Sequence, residues 1–79
     1  MPTIFRLFGL RFMIFTADHF PPHCHVIGQD GEAKFSIKDG VVLIENKGLK
    51  RKDISLAMAI LEENLDIVQA KWKEMHGEF

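Results

Sequence analysis

Between Asp18 and Val26 the chain reads Asp-His-Phe-Pro-Pro-His-Cys-His-Val, a stretch that holds three of the four histidines in the sequence. Pro21 and Pro22 stiffen it in an extended form, because each ring fixes its own φ. Stiffness lowers the entropy cost of presenting several side chains together. His23 and His25 stand two residues apart, so on a strand their imidazoles project from one face, and His19 could reach back to join them across the proline bend. Three imidazoles with a carboxylate from Asp18 or Glu32 make an acceptable site for a divalent transition metal such as zinc. None of the more specific zinc signatures is present, neither a His-Glu-x-x-His helix nor paired Cys-x-x-Cys motifs.

Three chemistries compete for these rings. They can hydrogen-bond the turn backbone and cap the strand, with Asp18 orienting one of them. They can hold a metal through His19, His23, His25 and Asp18. Alternatively His23 or His25 acts as general acid and base, or contacts phosphate, while Lys34 and Lys38 on the same face stabilise the charge of a phosphorane. A second candidate anion site is the run Lys47, Lys50, Arg51 and Lys52, just before a helix. Cations at that position oppose the helix dipole, which a bound phosphate would explain and a solvated loop explains equally well. The candidate binding set is therefore His19, His23, His25, Lys34, Lys38, Lys50, Arg51 and Lys52.

The elements that position these groups follow from a change of period. From Ile4 to Glu45 apolar residues fall in short Phe, Ile and Val-rich runs broken by Gly, Asp and Pro, which reads as strands with tight turns. From about Asp53 onward Ile54, Met58, Leu61, Leu65, Val68, Trp72 and Met75 alternate steps of four and three, one stripe of a helix. Asp53 or Ser55 is the expected cap and Gly77 the expected stop, with Asn64 the one place for a kink or break. The expected fold is α+β: a small antiparallel β-sheet of about four to five strands, in ββββ(β)α order, packed on one long C-terminal helix.

Two Asp-Gly pairs suggest two-residue hairpin loops. Asp39-Gly40 then sets Ile37 opposite Val42 and Phe35 opposite Ile44, while Asp30-Gly31 sets Val26 opposite Phe35 and Cys24 opposite Ile37. Both turn Cys24, Val26, Ala33, Phe35, Ile37, Val42 and Ile44 inward. The other face receives His23, His25, Lys34, Ser36 and Lys38, with Val41 and Leu43 beside them. The segment from Ile4 to Phe15 is apolar on both alternation sets, so it must be covered twice. Phe5, Phe8, Phe12 and Phe15 either fill an irregular core or meet a second copy of the chain or a small partner protein; self-association or an obligate complex is expected.

With 79 residues, the chain is expected to form a single domain over 1–79, since a chain this short buries only about 60% of its extended surface. The lone Cys24 rules out an internal disulfide framework, and with an apolar content of 47% it points to a reducing compartment, the cytoplasm. No apolar run nears the roughly 20 residues of a membrane span, and Met1 to Arg11 lacks a signal-peptide pattern. A formal charge of −1 means that RNA or DNA contact would rest on a local patch.

The opening Met1-Pro2-Thr3-Ile4, the Phe8-Gly9 step, the apolar run to Phe15, Asp18-His19, Pro21-Pro22-His23 and His25-Val26 together resemble domain-of-unknown-function family 4160, small prokaryotic proteins. Gly48-Leu49-Lys50-Arg51 and Trp72 extend the resemblance over nearly the whole chain. It departs at Cys24, where the family usually carries an aromatic residue, and in a shorter, less aromatic Ile27 to Gly31. Members resemble small proteins encoded beside another in pairs like toxin and antitoxin modules, which implies partner binding and RNA or DNA contact. The resemblance carries over no catalytic residue. The leading expectation is thus a partner-binding or nucleic-acid-contacting module of a toxin-antitoxin-like pair, and the alternative is a small His-dependent nuclease or metal-dependent hydrolase using His19, His23 and His25.

Overall fold

A computed structural model describes residues 3–15, 17–77 and 79. The Met1-Pro2 opening lies outside the described residues. Five strands, β1 (Thr3–Leu7), β2 (Leu10–Met13), β3 (His23–Ile27), β4 (Glu32–Ser36) and β5 (Val42–Lys47), precede two helices, α1 (Arg51–Glu63) and α2 (Leu65–His76). The strands form one antiparallel meander in the order β1-β2-β3-β4-β5. The α+β class and the sheet are as the sequence implies.

Phe8 and Gly9 make the β1–β2 turn with φ of 52° and 79°, the paired left-handed conformation whose twist suits a two-residue hairpin. Leu10, Phe12 and Ile14 then face inward with Cys24 and Val26 of β3 and Ala33 and Phe35 of β4. Leu61, Val68 and Trp72 of the expected stripe close the core from the helices together with Ala57 and Ile60, which lie outside it, while Ile54, Met58, Leu65 and Met75 pack against the core partly buried. Burial of Phe12 and Phe35, both without exposed surface, stabilises the fold by about 2 kcal/mol each. Phe12 therefore belongs to the core and is not available to a partner, and Met13 on the opposite alternation is buried as well.

The single long helix expected from the stripe is instead two. Asn64 leaves helical geometry at φ −117° and ψ 23°, and its Nδ2 donates to the Ile60 carbonyl at 2.8 Å. A short polar side chain that bonds backbone locally competes with the helical ladder, which is why the break falls there. Gly77 ends α2 at φ 81° as expected. Neither Asp53 nor Ser55 caps α1: Lys50 is its N-cap without a side-chain bond, and Asp53 lies in the first turn.

The hairpin registers also differ from the two-residue expectation. Val26 pairs with Ala33 and Cys24 with Phe35, a shift of two residues that leaves every side chain on its expected face. The shift arises because Gly28 to Gly31 form a four-residue loop closed by the Gly28 N–H donating to the Gly31 carbonyl at 2.8 Å. On the other hairpin Phe35 pairs with Leu43 and Lys34 with Glu45, so Ile44 is an extra residue in β5. Val42 and Ile44 are consequently 59% and 50% exposed rather than inside, while Val41 packs on the core. Ile37 extends the β3–β4 ladder by donating its N–H to the Pro22 carbonyl at 3.2 Å, and its own carbonyl accepts from Gln69 Nε2 at 2.8 Å. Pairing with β5 begins only at Ser36 and Val42, so the connection is longer than Asp39-Gly40 alone.

Candidate metal centre

A short turn brings the loaded segment back over the outer face of the sheet. The Asp18 N–H donates to the Phe15 carbonyl at 3.1 Å, and the Phe15 N–H donates to Asp18 Oδ2 at 2.9 Å. This reciprocal pair fixes the carboxylate above β3, where His23 and His25 project side by side with ring centroids 5.1 Å apart. His25 Nε2 lies 3.1 Å from Asp18 Oδ1, and His23 Nε2 lies 3.5 Å from the same oxygen. The three donor atoms fall within 4.8 Å of one another.

His23 is buried, and its Nδ1 lies 2.8 Å from the Pro21 carbonyl. A carbonyl can only accept, so Nδ1 carries a proton and Nε2 is the ring nitrogen turned to the Asp18 side. An imidazole held by a backbone carbonyl in this way is the usual outer support of a metal-binding histidine. His25 Nδ1 lies 4.0 Å from Glu32 Oε2, so both carboxylates named from the sequence flank this ring, Asp18 closely and Glu32 loosely. The Phe15 ring meets His25 edge-on at 4.8 Å and limits its rotation.

Burial works against a charged carboxylate at Asp18. The Phe15 N–H, the His25 hydrogen bond and the charges of His25 and His23 together outweigh it, leaving the Asp18 pKa below its ordinary value. Cys24 is the reverse case. Its side chain enters the core, burial pushes the thiol up to about 12, and it stays a neutral apolar filler that takes no part in the site.

Beside the cluster lies an open cleft of ≈ 370 Å³, bordered by Asp18, His19, Phe20, His23, Lys34 and Ile44 among others. A second, polar hollow of ≈ 140 Å³ adjoins it, where Lys34 faces Glu45 at 4.0 Å. Of the sequence candidates, Asp18, His23 and His25 converge and Lys34 stands next to them. His19 is exposed at the cleft rim and outside the convergent group. Lys38 is exposed in the turn after β4 and does not border the cleft. Lys50, Arg51 and Lys52 lie at the opposite end of β3, where Lys50 Nζ pairs with Asp30 at 3.6 Å. Phe20 and Ile44 were not singled out for the site by their residue types. Ile44 could have been found only through the bulge, which no local pattern announces.

The family model described as Domain of unknown function (DUF4160) matches residues 9–73, a span that contains the whole cluster. The chain belongs to this family. No curated protein and no solved structure matches the chain. No helix among the described residues is long and apolar enough to cross a membrane.

Proposed function

We propose that this protein is a small metal-dependent hydrolytic module in which Asp18, His23 and His25 hold one divalent transition ion, zinc first among the candidates. The observation that carries this reading is the convergence of one carboxylate oxygen and two Nε2 atoms within 4.8 Å, with His23 Nδ1 held by the Pro21 carbonyl so that Nε2 is turned to the site. Ligands at about 2.0–2.1 Å around a tetrahedral zinc stand about 3.4 Å apart, so the carboxylate separations of 3.1 and 3.5 Å suit the ion as they stand, while the two imidazole nitrogens, within 4.8 Å of each other, must draw together around it. Two imidazoles and one carboxylate leave a coordination position open, as catalytic rather than structural zinc requires; the same set also suits iron(II). An ion there would polarise a bound ester and lower the pKa of its own water. Lys34 is placed to stabilise the negative charge that develops.

Chelator-stripped protein titrated with zinc, iron(II), manganese and nickel tests this directly. The expected result is one ion per chain for at least one of them, weakened about 100-fold or more by Asp18→Asn or His23→Gln. Stripped protein that keeps its circular dichroism spectrum and binds none of the four would sink the proposal.

A partner-binding reading rests on a different surface. β5 is an edge strand, and Val42, Leu43 and Ile44 are exposed along it, which suits strand addition by another chain. The Ile44 bulge and the charges of Glu45 and Lys47 guard the rest of that edge, so the open stretch is short.

A further inference from the structure

We infer that the cleft beside the metal cluster takes a phosphodiester with an unpaired base next to it, making single-stranded nucleic acid the substrate class; this rests on the metal reading above. With a divalent ion seated, the cleft carries the ion and Lys34 against Asp18, a net positive patch on a chain whose formal charge is −1. Such a patch selects an anion locally without a long basic track. Glu45 beside Lys34 and Glu32 beside His25 both line the adjoining hollow and bound the patch on that side.

The walls decide between a bare phosphate and a nucleotide. Phe20 and Ile44 border the cleft with 47% and 50% of their surfaces exposed, although both are large apolar side chains. Part of the Phe20 ring packs on Trp72, with centroids 5.5 Å apart, and so has a fixed platform. A fixed, half-open aromatic within one cleft of a cation is how proteins bind a base and its phosphate together, and stacking tolerates any sequence. The cleft volume of ≈ 370 Å³ lies near the lower limit for small-ligand sites, enough for about one nucleotide. A duplex hides its base faces and cannot stack on Phe20 unless a base leaves the helix. Hydrolysis would join a water oxygen to phosphorus as the P–O bond to the leaving sugar breaks, the water losing one proton to solvent and the sugar alkoxide taking one from it; an ion held by Asp18, His23 and His25 would supply the acidified water.

The test uses the metal-loaded full chain and labelled hexanucleotides followed by fluorescence anisotropy: single-stranded RNA, single-stranded DNA, an abasic strand and a duplex, with inorganic phosphate as competitor. At least one base-bearing single strand should bind about tenfold more tightly than the abasic strand or the duplex. Phe20→Leu, which keeps apolar packing on Trp72, should remove that advantage and leave abasic binding unchanged. The log-affinity slope against log salt should be about −0.7 for each phosphate engaged, and Lys34→Gln should flatten it by one such step. Equal binding of abasic and base-bearing strands, or an indifferent Phe20→Leu at unchanged metal stoichiometry, overturns the substrate class while leaving the metal site standing. Failure to load any ion strikes the site itself.

Discussion

Asp18 is the residue on which the outer face turns. It closes its own loop through Phe15 and receives both imidazoles, so its charge is worth more folded than unfolded. Its folded pKa lies below the ordinary 3.8, which means that the stabilisation is complete above that value and lost as pH falls through the lower folded value. Asp18→Asn should cost about 2 kcal/mol at neutral pH, the usual worth of hydrogen bonds to a charged group. The gap between variant and parent in urea unfolding should close as pH drops below 3.8; a gap that is flat down to strong acid would contradict the assignment. Types and spacing made this group legible, since strand alternation alone unites His23 with His25. His19 stays exposed at the cleft rim outside the convergent group, and no pairing rule governs a loop residue of this kind.

Among the elements, the sheet depends on close backbone approach at Gly31. A Cβ there would collide with the Lys47 carbonyl oxygen and crowd Gly48, so only glycine lets the end of β5 lie against the start of β4. Gly31→Ala should lower stability by about 2 kcal/mol or more through strain at this contact, visible as a drop in the urea midpoint at constant slope. An unchanged midpoint would show that the two strand ends part at no cost. Face assignment for β3 and β4 was readable because a slip of two residues preserves alternation, whereas the start of β5 was misread because the longer connection after Ser36 shifts Val42 and Leu43 by one residue, and the extra residue Ile44 restores the expected pairing only from Glu45 on. The helical stripe was readable for the same reason that it forms: Leu61, Val68 and Trp72 must meet one core. The break at Asn64 leaves their spacing intact, so periodicity could not distinguish one helix from two.

For the molecule as a whole, the question is whether β5 meets another chain. The radius of gyration of one chain is 11.3 Å, close to the roughly 11.6 Å expected of a compact domain of 79 residues. Two copies joined edge to edge through β5 would lie about 24 Å apart, five strand spacings, and raise that radius to about 16 Å. Small-angle scattering over a concentration series should show the larger value if Val42 to Ile44 dock a second copy, and Ile44→Lys should restore the smaller. A constant value near 11 Å in the parent would dismiss self-pairing and leave only a different protein as the occupant of that edge.

The sequence holds one tryptophan, and the fold seats it at the margin of the histidine pair: Trp72 stacks on His76 at 3.9 Å and lies 5.4 Å from the His23 ring. Indole emission responds to the electronic state of whatever imidazole it touches. The protein is thus born with its own lamp beside the place of interest, and what happens at His23 can be watched in unlabelled material as a change in brightness or colour.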